Sequence, residues 1–115
     1  MDIINNYSFH DSSINEILIR NGVVYAIIRL WNGKLLRLIF KECRMVNYAF
    51  SSQDISDLII NIKSPLLEKA VNKAIADGDA EDEVKRFISY TFIDSWDQEP
   101  MIELIACEID IEEIS

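Results

Sequence analysis

Two Asn-Gly dipeptides, Asn21-Gly22 and Asn32-Gly33, stand between three runs rich in Ile, Val and Leu: "INEILIR", "VVYAIIRLW" and "KLLRLIFKE". A two-residue turn between antiparallel strands needs two positive φ angles, and Asn and Gly adopt them at little cost. Two such turns in succession predict a three-stranded antiparallel meander from Ser13 onward. At the first turn, pairing Ile19 with Val24 and Ile17 with Ala26 gathers Ile17, Ile19, Val24, Ala26 and Ile28 on one apolar face. At the second, a two-residue loop would set Arg37 opposite Ile28. One extra loop residue, a G1-type bulge, instead pairs Leu30, Ile28 and Ala26 with Leu36, Leu38 and Phe40. The opposite face carries Leu18, Tyr25, Ile27 and Ile39 among Arg20, Arg29 and Arg37. It is too apolar for plain solvent, so later parts of the chain should cover it, or it is a contact surface for a partner or a second copy.

Residues 41–63 leave two readings open: the third strand continues through Met45 and Val46, and "DLIINI" fits a strand or a helix. Ser64-Pro65 reads as a helix cap followed by proline at the first helical position. Leu66, Leu67, Ala70, Val71, Ala74 and Ile75 follow at helical spacing, and Asp77-Gly78 ends the helix. After the acidic stretch "DGDAEDE" come two strand-like runs, "VKRFISYTFID" and "MIELIACEIDI", joined by "SWDQEP". Leu104, Ile105, Ala106 and Cys107 form a continuous apolar run, as in a central strand covered on both faces. The pattern predicts one α+β domain over residues 1–115, an antiparallel sheet of five to six strands with one principal helix packed on it.

Half of the 115 residues are hydrophobic, and the chain has only three glycines and two prolines, which favours an ordered globule over disorder. No apolar run approaches the roughly 18 residues of a membrane span, and the opening residues carry an acid and no basic cluster. The expected location is cytoplasmic, away from membrane. Cys43 and Cys107 lack the spacing of a zinc or redox motif and read as reduced core thiols. No phosphate loop or dinucleotide fingerprint is present, and one histidine does not make a zinc set. "DGDAEDE" fails as a calcium loop, because Asp82 and Ile88 stand where an EF-hand needs glycine and glutamate. No cofactor or metal is expected.

The net charge of −9 is unevenly placed. Residues 1–76 hold nine Lys/Arg against seven Asp/Glu, whereas residues 77–115 hold two against thirteen, giving +2 and −11. Such a C-terminal third repels nucleic acid and anionic membrane and steers a cationic partner toward itself. Within it, "DSWDQEP" places Trp96 between Asp94 and Asp97, with Glu99 close by. An aromatic anchor with an acidic rim suits a basic protein partner. The candidate partner-binding set is Asp94, Trp96, Asp97 and Glu99, together with Asp79, Glu81, Asp82 and Glu83 of the preceding acidic stretch. The alternative chemistry is a small hydrolase built on His10, the only histidine, with Asp11 or a distant acid such as Asp94 as its partner and Ser12 or Ser13 as nucleophile. Adjacent strand residues point to opposite faces, so no His10–Asp11 dyad is expected; Asp11 or Ser12 should bond nearby backbone at the strand's entry while Phe9 and His10 anchor it against the core.

The stretch "YSFHDSSINEILIRNGVVYAIIRLWNGKLLRLIFKECRMV" resembles the opening of small bacterial immunity-like domains that begin with Phe-His-Asp-Ser. "FIDSWDQEPMIELIACEIDI" is also similar to them. Such proteins are encoded beside toxins used between competing bacteria. The resemblance implies a compact, non-enzymatic protein that neutralises a cognate toxin by direct binding. A nuclease toxin, commonly cationic, would complement the acidic third. A structural subunit or homodimer built on the Leu18, Tyr25, Ile27 and Ile39 face is the remaining expectation.

Overall fold

The computed structural model describes residues 7–49 and 53–114. Strands β1 (Ser12–Arg20), β2 (Val23–Arg29) and β3 (Leu35–Lys41) form the expected meander. The first turn is as the dipeptide dictates: Asn21 and Gly22 have φ of 51° and 76°, and Ile19 faces Val24 while Ile17 faces Ala26. The second loop does contain one extra residue, but on the other side of the Asn-Gly pair. Leu30 N–H donates to the Lys34 carbonyl at 2.8 Å, so the loop is Trp31, Asn32 and Gly33, with Gly33 at φ 86°. Val24, Ala26 and Ile28 therefore face Phe40, Leu38 and Leu36, one pair away from the register expected. The assignment of side chains to faces is unchanged because the shift is two residues, a whole side-chain period, but Ile19, beside the first turn, lies 54% exposed and outside the core.

Beyond the meander, the expectation of an α+β domain with five to six strands is overturned. Among the described residues the protein is mainly β, with eight antiparallel strands in one sheet, ordered β4-β7-β6-β5-β1-β2-β3-β8. β4 (Met45–Tyr48) resumes the path of β3 after a kink in which Glu42 has φ 50°. The run "DLIINI" falls in β5 (Asp54–Asn61), and β6 (Ile88–Asp94) follows the helical segment. The last apolar run, expected as one strand, breaks at Cys107 into β7 (Pro100–Ala106) and β8 (Glu108–Glu113). Because β3 pairs with β8 and β4 with β7, the two ends of the sheet belong to chain paths already paired, and the pairing runs round a ring. The seam of that ring is short: β1 meets β5 only through Ser12–Ile55 and Ser13–Asp54. Past the seam, the Asp57 carboxylate accepts the N–H of Leu58 at 2.8 Å, covering a donor on the β5 edge.

Inside the ring lies one core, with Ile28, Leu36, Leu38, Phe40, Ile55, Tyr90 and Phe92 each fully buried. Phe40 meets Tyr90 and Phe92 edge-on at 5.2 and 6.3 Å between ring centres, the geometry aromatic quadrupoles favour. The helix α1 (Pro65–Ala76) is an accessory on the outside of β6 and β7. The Ser64 hydroxyl accepts from Leu67 N–H at 3.0 Å and donates to the Glu103 carboxylate at 2.6 Å, so one residue caps the helix and ties it to β7. Leu67, Ala70 and Ala74 close a second core over Ile105 and Phe87, whereas Ile75 stays exposed. β7 is thus covered on both faces, as its continuous apolar run implied. A single-turn helix, α2 (Glu81–Val84), leads into β6. The outer face of the meander is a different case. Neither α1 nor α2 packs on β1, β2 or β3 to any extent, so whatever cover later parts of the chain give this face does not come from a described helix. Among the described residues, no helix is long and apolar enough to cross a membrane.

Candidate functional site

The β6–β7 hairpin is held rigid by its own acids. Asp94, 1% exposed at the end of β6, accepts Trp96 N–H on its carboxylate at 2.7 Å and Gln98 N–H on its carbonyl at 3.0 Å. Asp97 accepts Glu99 N–H at 2.9 Å, and Gln98 takes φ 60° to let the chain turn. Short carboxylate side chains bonding two residues ahead are a regular way of fixing a tight loop. Two further bonds lock the loop to β5: Ser95 N–H donates to the Asp54 carbonyl at 3.0 Å, and the Trp96 indole N–H donates to the Asp54 carboxylate at 3.2 Å.

Trp96 is therefore fixed in direction while 78% exposed. Beside it opens a depression of about 420 Å³ lined by Asp11, Ser12, Ser13, Asp54, Ser95 and Trp96. Asp97 and Glu99 are exposed and form no ion pair among the described residues. An aromatic plate with carboxylates around it can take a guanidinium or ammonium group on its face and the cation's N–H donors at its edge.

Only part of the expected set meets here. Trp96, Asp97 and Glu99 form the surface of the hairpin, while Asp94 sits beneath it and positions the loop instead of reaching outward. Asp79, Glu81, Asp82 and Glu83 precede the start of β6, whose seven residues separate them from the hairpin by roughly 20 Å of strand. Asp79 there faces Arg44, with Nη1 3.2 Å from Oδ2, and Arg44 in turn lies 5.1 Å over the Phe87 ring. Glu81, Asp82 and Glu83 occupy the first turn of α2, where acids suit the helix dipole. Asp11 and Asp54, absent from the expected set, join the hairpin only because β5 pairs with both β1 and β6.

The remaining acids of the C-terminal third are largely neutralised. β8 lies against β3, which brings Lys34 to Glu113 (3.2 Å), Arg37 to Glu112 (3.0 Å) and Lys41 to Asp110 (2.6 Å). Arg86 bridges Glu108 and Glu42 at 2.9 and 3.1 Å.

His10 and Asp11 correct the strand argument made for them. They precede β1 in a turn, and with Asp11 at φ 57° their side chains come together, Nε2 to Oδ2 at 3.5 Å. No hydrogen bond among the described residues joins either neighbouring serine hydroxyl to His10. Ser12 Oγ is buried without a partner among those residues, and Ser13 Oγ lies 3.5 Å from Asn15. The thiols are equally ill-suited to attack. Both cysteines are free and half-buried, and burial pushes Cys43 up to about 11 and Cys107 upward. No group of three potential metal ligands exists among the described residues. No known protein family, curated protein or solved structure matches this chain.

Proposed function

We propose that this protein is a non-enzymatic, acidic binding module that acts in the cytoplasm as an immunity protein, neutralising a cognate toxin of cationic surface by direct contact. The observation that carries the reading is Trp96: a large aromatic side chain, mostly exposed, yet fixed by its hydrogen bond to Asp54, sharing a depression with Asp11 and carried on the same loop as the exposed Asp97 and Glu99. A solvent-facing indole held in one direction has already given up most of the freedom it would lose on binding. Hot spots concentrate in such residues, and the surrounding carboxylates speed the encounter with a basic surface. The similarity of Phe9-His10-Asp11-Ser12 to the opening of immunity-like domains supports the biological role.

The test starts from the gene immediately upstream, which on this reading should encode a toxin-like C-terminal domain, and uses that domain as bait in a pull-down. The wild-type chain should retain that domain, and Trp96→Ala should lose it. Equal capture by the two would remove the hairpin as the site, and no capture by either would remove the immunity reading.

A further inference from the structure

The outer face of the meander is patterned for a second copy of itself. Side chains alternate along β1, β2 and β3, so Leu18, Tyr25 and Ile39 form one outward row and Glu16, Ile27 and Arg37 the next. Arg20 lies outward on the other side of Leu18. Leu18 is 43% exposed, and a depression of about 300 Å³ opens between Glu16, Leu18, Arg20, Tyr25, Ile27 and Arg37.

The charges on this face are balanced on a chain of net −9. Arg37 pairs with Glu112 and Lys41 with Asp110, each cancelling within the chain. Glu16 and Arg20 remain, one of each sign, exposed and with no ion pair among the described residues. They flank Leu18 at equal distances along β1, about 14 Å apart. Arg29, beyond Ile27 on β2, lies outside the overlap.

We infer that two copies pack this face together about a two-fold axis running across the strands through the Leu18–Tyr25 row. That rotation places Glu16 over Arg20 of the second copy, and Arg20 over its Glu16. A two-fold contact must be complementary to itself, and opposite charges set symmetrically about an apolar centre meet that demand. The local neutrality lets two acidic chains approach here. The patch spans three strands and about 14 Å of strand length, roughly 200 Å² in plan, well under the ~800 Å² per partner of a standard interface. The dimer is accordingly weak and transient. This surface is separate from the Trp96 hairpin, and the inference does not depend on the function proposed for that site.

Sedimentation velocity from about 10 µM to about 1 mM, at low salt, tests it. The wild-type chain should shift from monomer to dimer across that range. Glu16→Arg and Arg20→Glu, each setting like charges together twice, should each weaken association at least ~10-fold. The double variant carrying both changes should restore it. Leu18→Lys should abolish it, with far-ultraviolet circular dichroism unchanged because all three side chains are exposed. A chain that stays monomeric at 1 mM, a dimer indifferent to the single reversals, or a double variant without recovery would overturn the inference.

Discussion

Strand β8 and the β6–β7 hairpin come from the same acidic third of the chain and have opposite electrostatic fates. In β8, Asp110, Glu112 and Glu113 stand beside Lys41, Arg37 and Lys34, because the strand pairs with β3, the most basic strand of the sheet. In the hairpin, Asp97 and Glu99 face solvent around Trp96. The difference teaches that charge segregated along a sequence is not charge segregated in space. Antiparallel pairing between distant strands cancels one half of the acidic segment and leaves the other half exposed.

The largest effect should come from beneath the hairpin. Asp94→Ala leaves the Trp96 N–H without its acceptor in a part-buried setting, and should cost about 2 kcal/mol or more in urea unfolding. Glu112→Ala, which opens an exposed ion pair, should cost under about 1 kcal/mol. On the surface of the hairpin the order of effects changes from stability to binding. Trp96→Ala should lower partner affinity about 30-fold by calorimetry while costing under about 1 kcal/mol in unfolding, the loss of one exposed hydrogen bond to Asp54. Replacing Asp97 and Glu99 together by Lys should slow association about 10-fold and flatten its salt dependence, whereas Asp110→Asn should leave the rate within about 2-fold.

A smaller effect concerns alkaline stability. The Cys43 thiol is held at about 11 in the fold against an ordinary value of 9.0, so the folded protein keeps a proton that the unfolded chain releases. Its contribution is complete below pH 9 and is lost as the pH rises through 11. Thermal unfolding across that window should show a decline that Cys43→Ala reduces.

What the sequence made legible was local. The Asn21-Gly22 turn, the Ser64-Pro65 helix start and the apolar set of the meander all rest on residues within a few positions of one another. The breaks at Glu42 and Cys107 were not legible, because a strand that bends to change partners keeps its apolar composition through the bend. Missing them hid the pairing of β3 with β8, and with it the neutralisation of the C-terminal acids. The candidate site divides in the same way. Trp96 among acids in a hairpin loop was visible in one heptapeptide, whereas Asp11 and Asp54 reach it only through pairings of β5 that no local pattern announces. His10 and Asp11 were misplaced for a related reason: one positive φ at Asp11 turns the chain before β1 begins.

The most direct test of the account is an amide and indole chemical-shift map of the protein titrated with the toxin domain that the pull-down retains. The largest perturbations are expected at the Trp96 indole N–H, at Ser95 through Glu99, and at Asp11, Ser13 and Asp54. Perturbations centred on Glu108 through Glu113, or on Glu81 through Glu83, with the Trp96 indole unmoved, would contradict it.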